Sequence, residues 1–202
     1  MVGSSILPVT IHKKKLFFLF GKETPLETSA PGWSDFGGGM EAGETAIETA
    51  LREGGEELTG FLGDAKQLKQ HIKNHGGIYP INYEDKYHIH VIYIPYDENL
   101  PKHYNQNHQF LWDRIDHKLL QSTKLFEKIE IQWFSEAQAK TKRNEFRHFY
   151  REILDRILRE KSNIQKRFEH ISTKQPRSST FVVRRTTRKK HRKNNKNIYI
   201  LE

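Results

Sequence analysis

The sequence has no cysteine among its 202 residues. This absence excludes disulfide bonds, thiolate zinc sites and a cysteine nucleophile. No apolar run approaches the roughly 20 residues that a membrane-spanning helix needs, and residues 1–15 lack the apolar core of a signal peptide. We therefore expect a soluble, cytoplasmic protein that has no membrane partner.

Acidic residues are almost absent from the C-terminal end of the chain. Residues 174–196 contain ten lysines and arginines and no acid, so the net charge of +9 belongs to this segment. A basic segment with few apolar residues does not fold alone. We expect one domain over residues 1–165 and a flexible basic tail over 166–202. The tail is a candidate nuclear localisation signal or RNA-phosphate contact, through Arg184, Arg185, Arg188, Lys189, Lys190, Arg192 and Lys193.

Hydrophobic periodicity predicts strands and helices in alternation. Short apolar or alternating runs predict strands near residues 6–11, 16–20, 33–36, 78–82, 86–96 and 129–134. Helical spacing predicts helices at 44–58, 64–75 and 142–161. Residues 97–124 fit neither pattern, and a connection of that length in a compact domain is usually functional or disordered.

The most informative stretch is residues 37–60, where a glycine turn precedes a helix rich in carboxylates. Glu53, Glu56 and Glu57 lie at i, i+3 and i+4, so their side chains gather on one side of the predicted helix. Three clustered anions repel one another unless a cation lies among them, and Mg²⁺ or Mn²⁺ prefers such oxygen ligands. The alternative interpretation is a solvated helix face with Arg–Glu pairs.

The charged positions also stand at the spacing of a known signature. From Gly38, the sequence fits G-x5-E-x7-R-E-x2-E-E and resembles the Nudix hydrolase signature, G-x5-E-x7-R-E-U-x-E-E-x-G-U, in which U is a bulky aliphatic residue. The preceding W-x-x-F-G-G, from Trp33, resembles the family's W-x-x-P-G-G. Gly54, Thr59 and Gly60 depart from the signature, but none of them is at a charged position. We expect Gly60 to end the helix.

The resemblance implies a fold and a reaction. The implied fold is an α/β/α sandwich with a mixed sheet, here followed by a C-terminal helix and the basic tail. Members of the family hydrolyse a nucleoside diphosphate linked to another group, with a divalent ion. The implied ligands of Mg²⁺ or Mn²⁺ are Glu53, Glu56, Glu57 and the Gly38 carbonyl, and Glu44 and Arg52 organise the site. The general base is left open between Glu53 and a carboxylate near the last strand, Glu127 or Glu130.

The substrate is less clearly indicated. Tyr104, Phe110 and Trp112 are candidates for stacking on a nucleobase, or they fill a small core of their own. The basic tail favours the 5′ cap of mRNA as substrate, because a hydrolase of free nucleotides needs no grip on RNA. The Lys-, Asn- and Ile-rich composition, with the sequence of residues 34–38, also resembles Nudix proteins of large DNA viruses, some of which decap RNA. The alternatives are a hydrolase of small substrates (a dinucleoside polyphosphate, a nucleotide sugar or an inositol pyrophosphate) and a non-catalytic RNA-binding module.

Overall fold

One mixed sheet forms the centre of the protein. The computed structural model describes residues 2–116, 118–119 and 126–173. The strands in these ranges are β1 (Gly3–His12), β2 (Lys15–Glu23), β3 (Trp33–Ser34), β4 (Phe36–Gly39), β5 (Ile78–Tyr83), β6 (Tyr87–Tyr93) and β7 (Lys128–Ser135).

Strand β1 is the one around which the sheet assembles. It pairs in parallel with β6, and its other edge pairs antiparallel with β4 near its start and with β2 near its end. β7 and β3 extend the sheet from β2, and β5 extends it from β6. The glycines of β4 therefore lie directly beside the first residues of the chain.

Helices cover both faces of this sheet. The helices are α1 (Ala46–Glu57), α2 (Ala65–Asn74), α3 (Asn99–Trp112), α4 (Glu136–Thr141), α5 (Tyr150–Arg159) and α6 (Lys161–Ser172). α1, α2 and α3 share one apolar core with the sheet, and α5 and α6 share a second core on the opposite face. The implied α/β/α sandwich with a mixed sheet is confirmed. Among the described residues, no helix is long and apolar enough to cross a membrane.

Helix α3 forms where the sequence pattern predicts neither helix nor strand. Its buried positions, Leu100, Tyr104 and His108, recur every four residues and form a narrow stripe. Two of these three side chains carry polar atoms, so a hydropathy pattern does not identify them as the buried face of a helix. Pro101 lies in the first turn, where a helix tolerates proline because the backbone N–H groups there have no intrahelical partner.

The predicted helix over 142–161 is wrong at its start. Residues Arg143–Glu145 form a 3-10 turn, and Phe146 is extended and buried. The N–H of Arg147 donates to the carbonyl of Trp33 at 3.1 Å, which ties this segment to β3. Helix α5 consequently begins at Tyr150. The helical region continues in α6 past residue 165, and Phe168 lies in the core; the division of the chain at 165 stays a prediction.

Both ends of α1 are fixed by local hydrogen bonds. Thr45 caps the first turn reciprocally with Glu48. At the other end, the N–H of Thr59 donates to the Glu56 carbonyl at 2.8 Å, and the N–H of Gly60 donates to the Gly55 carbonyl at 2.9 Å. The first left-handed residue after the helix is Thr59, with φ of 47°, and Gly60 follows it with φ of 73°. The expectation that Gly60 takes the first of these positions is therefore wrong.

Candidate active site

Two glycines of β4 lie between strand β1 and helix α1. A methyl group on Gly37 would come within 2.3 Å of the Ser5 Cβ. One on Gly38 would come within 2.5 Å of Glu53 Oε1. The Glu53 carboxylate thus packs directly against the backbone of Gly38, and any side chain at position 38 would displace that carboxylate.

Arg52 draws the signature carboxylates of α1 together. Its Nε donates to Glu44 Oε1 at 2.8 Å. Its Nη1 donates to Glu53 Oε1 at 2.8 Å and to Glu56 Oε2 at 3.4 Å. Glu53 and Glu56 therefore both contact the same nitrogen of Arg52.

Glu44 holds Arg52 in this position. Besides the guanidinium, its carboxylate accepts from the hydroxyl of Thr49 at 2.7 Å and from the N–H of Glu41 at 3.0 Å. The hydrogen bond from Arg52, helped by those from Glu41 and Thr49, lowers the pKa of Glu44 to about 2. Glu44 is therefore ionised at neutral pH and stays paired with the Arg52 guanidinium.

Glu57 faces a different environment from Glu53 and Glu56. Its Oε2 accepts the N–H of Gly37 at 2.8 Å, and its Oε1 lies 3.2 Å from Lys128 Nζ. Its side chain is 4% exposed, against 61% for Glu56. Glu57 thus points into the protein while Glu56 points to solvent.

The buried partner of Glu57, Lys128, was not predicted. The Lys128 ammonium contacts Glu23 and donates to Ser34 Oγ at 2.8 Å. Glu23 in turn accepts from Arg147 Nη1 at 2.6 Å. Burial opposes charge on Lys128, but Glu57 and Glu23 raise its pKa above the ordinary value. Glu23 and Lys128 are 105 positions apart, so no local pattern could have indicated this network.

The three signature glutamates are not grouped around one point. Among residues 2–116, 118–119 and 126–173, no three acidic or histidine side chains surround a position suited to a metal ion. Glu53 and Glu56 contact Arg52, whereas Glu57 contacts Lys128. Carboxylate oxygens are the ligands that a divalent ion prefers, so Glu53 and Glu56 suit such an ion by their chemistry, although Arg52 contacts both of them in this structure.

A second buried carboxylate lies just before the glycines. Asp35 Oδ2 accepts from the Ser5 hydroxyl at 2.5 Å, and Oδ1 accepts from the Tyr87 hydroxyl at 2.8 Å. Burial raises the pKa of Asp35 to about 6, against the opposing effect of these donors. Asp35 ties β1 and β6 to the segment that leads into the site.

A cavity of about 380 Å³ opens between α3 and the start of β7. Trp112, a candidate for substrate binding, and Glu130, a candidate for catalysis, both line it. His108, which the sequence pattern did not indicate, also lines it. The remaining lining residues are Pro25, Asn105, Gln109, Phe126 and Ile129.

The other two predicted aromatic residues lie elsewhere. Tyr104 is fully buried, and its hydroxyl bonds to the carbonyls of Glu57 at 2.7 Å and Lys128 at 2.9 Å. Its ring has no exposed face for a base, so Tyr104 is a core residue, the second of the two interpretations. Phe110 is exposed and stacks with the guanidinium of Arg114 at 3.8 Å. The predicted RNA-contacting residues, Arg184 to Lys193, lie outside the described part of the chain.

Comparison with known proteins assigns the family. The model of the NUDIX domain matches residues 2–157. No curated protein matches the chain significantly. Among solved structures, an Ap4A hydrolase of C. elegans is 15% identical, with a TM-score of 0.47 over 81% of this chain and 98% of that one. A mutT/nudix family protein from Listeria innocua is 17% identical, with a TM-score of 0.46 over 84% and 96%.

The family assignment rests on the extent of the domain match, and the site agrees with it. The matched range includes the glycines of β4, all of α1 and the cavity beside β7. Enzymes of this family generally use divalent metal ions, and the convergent Glu53 and Glu56 suit such an ion. The chain belongs to the Nudix family and is a hydrolase that acts on pyrophosphate bonds.

Proposed function

We propose that this Nudix hydrolase cleaves a diphosphate bond in a nucleotide derivative and uses Mg²⁺ or Mn²⁺. The observation that supports the proposal best is the convergence of Glu53 and Glu56 on Arg52 Nη1, at 2.8 and 3.4 Å. These two carboxylates, with the Glu57 carboxylate and the carbonyl of Gly38, would hold the ion. When bound, the ion neutralises the diphosphate and acidifies the attacking water.

Glu130 is the proposed general base. Its side chain is 41% exposed, it lines the cavity, and its distance to Lys22 is a loose 3.9 Å. Glu53, the other candidate, already accepts a short hydrogen bond from Arg52, so one of its carboxylate oxygens is engaged. Glu130 would take a proton from water as the water oxygen attacks phosphorus and the bond to the leaving phosphate breaks. Glu127 is the alternative carboxylate in this segment.

The cavity beside Glu130 is the proposed site for the nucleobase. Its walls are mainly apolar and aromatic, with Trp112, Phe126 and Ile129 among them, and its volume falls in the range of ligand pockets. Stacking on an aromatic side chain contributes about 1–3 kcal/mol per base. Tyr104 connects the cavity to the carboxylates, because it stacks on His108 at 3.9 Å and bonds the Glu57 carbonyl.

The finer proposal is that the substrate is the 5′ cap of mRNA. It is supported by the basic composition of residues 174–196 and by the resemblance to Nudix proteins of large DNA viruses. If these basic residues bind the phosphates of a single-stranded RNA, the affinity for RNA should fall as the salt concentration rises. The alternative, a small substrate such as a dinucleoside polyphosphate, makes no use of that segment.

The metal assignment is tested with Glu56→Gln. The variant should lower kcat on a small nucleoside diphosphate derivative by at least about 100-fold, because the ion supplies much of the stabilisation of the transition state. Glu169→Gln, an exposed position on α6, is the control and should keep wild-type kcat. Full activity of Glu56→Gln with intact folding would refute the assignment.

The RNA proposal is tested by truncation after Thr173, which retains every described helix and strand. The truncated protein should have a higher KM for a long capped transcript and an unchanged KM for a cap dinucleotide. Its RNA affinity should also lose salt dependence, which is about 0.7 log units per log unit of salt for each phosphate neutralised. Equal KM and equal salt dependence for both proteins would favour the small substrate.

A further inference from the structure

His108 is a buried histidine in the wall of the cavity between α3 and β7. It is 2% exposed, and it lines that cavity together with Trp112. Its ring stacks on the ring of Tyr104 with 3.9 Å between the centroids, and it packs edge-to-face with Phe126 at 4.5 Å. These two contacts hold the plane of the ring, so its two nitrogen atoms have defined directions.

The partner of one ring nitrogen fixes the hydrogen-bonding state of the other. Nδ1 of His108 lies 3.0 Å from the carbonyl oxygen of Tyr104. A carbonyl oxygen only accepts, so Nδ1 carries a hydrogen and donates it. Burial lowers the pKa of His108 to about 4, so at neutral pH the ring is uncharged and carries this one hydrogen. Nε2 is therefore a hydrogen-bond acceptor.

Nε2 of His108 is buried and has no hydrogen-bond partner within residues 2–116, 118–119 and 126–173. Because Nδ1 faces the backbone of α3, Nε2 lies on the side of the ring that is turned away from this helix. Asn105, an amide in the same wall, uses both its polar atoms on the backbone of Ile131, at 2.8 and 3.2 Å. A buried acceptor without a partner costs stability, and a donor on a ligand restores the missing hydrogen bond.

We propose that His108 determines which bases the cavity accepts, because its Nε2 accepts a hydrogen bond from an amino group of the nucleobase. The preferred substrates are derivatives of nucleosides whose base carries an amino group, such as adenosine or guanosine. A base with no donor at that position leaves Nε2 unpaired and binds less well. This inference rests on the proposed placement of the nucleobase in this cavity, and it concerns specificity, not the cleavage of the diphosphate.

Substrates that differ only in the amino group provide the first test. The pairs are diphosphate-linked derivatives of adenosine and purine riboside, and of guanosine and inosine. In at least one pair, the member with the amino group should have a kcat/KM about tenfold higher or more. Equal kcat/KM within both pairs would overturn the inference and leave the proposed function standing. If none of the four is hydrolysed, the proposed function fails and the inference fails with it.

Variants at position 108 test whether Nε2 causes the preference. His108→Asn retains an amide that can donate to the Tyr104 carbonyl but has no acceptor at the position of Nε2. It should reduce the preference for the amino-bearing substrate to less than about threefold. His108→Gln can place its amide oxygen near that position and should keep most of the preference. Asn107→Ala, which is exposed on the same helix and does not line the cavity, is the control and should keep the wild-type preference.

The ratio of the two kcat/KM values separates recognition from a structural role of His108. A structural role predicts that both members of a pair lose activity equally, so a wild-type ratio in His108→Asn would overturn the inference. If His108→Asn does not fold, His108→Phe takes its place, because a phenyl ring can still stack on Tyr104 but has no acceptor. A wild-type ratio in His108→Phe would have the same meaning.

Discussion

A methyl group added at Gly54 would enter the contact between helix α1 and strand β1. Gly54 is buried, and its added Cβ would come 2.3 Å from Ile6 Cδ1 and 2.6 Å from Ile6 Cγ1. Ile6 is itself 0% exposed, in the centre of the sheet. The helix can therefore accept a side chain at position 54 only if Ile6 or the whole helix moves.

Two opposing effects set the size of the change. Alanine is favoured over glycine in a helix by about 1 kcal/mol. Overpacking a close-packed core costs about 1–3 kcal/mol, and a contact as short as 2.3 Å belongs at the upper end of that range. We expect Gly54→Ala to lower the free energy of unfolding by about 1–2 kcal/mol, and the melting temperature by about 2–8 °C for a domain of this size.

The neighbouring glycine provides a matched control. A Cβ on Gly55 would meet its nearest atom, the Gly63 carbonyl oxygen, at an ordinary 3.6 Å. Gly55→Ala should therefore stabilise the protein by up to about 1 kcal/mol, because only the helix preference changes. Ile6→Val, which deletes the Cδ1 atom, should recover part of the loss when combined with Gly54→Ala.

Urea denaturation and thermal melting followed by circular dichroism measure these differences. The reasoning requires the two alanine variants to change stability in opposite directions. A Gly54→Ala protein as stable as the wild type, or more stable, would show that the contact with Ile6 relaxes freely, and the packing argument would be refuted.

Three further predictions concern the C-terminal end of the signature helix α1 and the segment before that helix. Thr59→Gly should stabilise the protein by about 1 kcal/mol in urea melts, because φ of 47° is a left-handed conformation that disfavours a β-branched residue; a loss of stability would contradict this. Gly38→Ala should displace the Glu53 carboxylate and lower kcat by more than about tenfold, since misplacement by an ångström has large effects on rate. The melting temperature of Gly38→Ala should change little, because the end of the Glu53 side chain can move aside. An unchanged kcat in this variant would contradict the prediction. Burial raises the pKa of Asp35 from 3.8 to about 6, so its contribution to stability is complete below 3.8 and is lost as pH rises through 6. Asp35→Asn should flatten the stability profile in that window, and an unchanged profile would rule out Asp35 as its cause.

Local patterns in the sequence determine much of this protein. Glycines followed by an apolar stripe and regularly spaced carboxylates are enough to predict α1, because each feature acts within one or two helical turns. The contact of Arg52 with Glu56 is of this kind, since these residues are one turn apart. The capping of α2 by Asp64 is likewise local, because its side chain accepts the N–H of a residue in the first turn of the same helix. In β6 the side chains alternate between the two faces of the sheet, since Ile89 and Val91 enter one core while Ile92 enters the other.

Only the tertiary structure decided what each carboxylate of the site faces. Glu53, Glu56 and Glu57 are equivalent in the sequence, but strand β7 brings Lys128 to Glu57 and leaves Glu56 in solvent. Helix α3 is another such case, since Tyr104 and His108 are buried only because α3 packs against β7. Contacts between residues far apart in the chain carry no local periodicity. Their energies therefore appear only when the sheet and its helices are assembled.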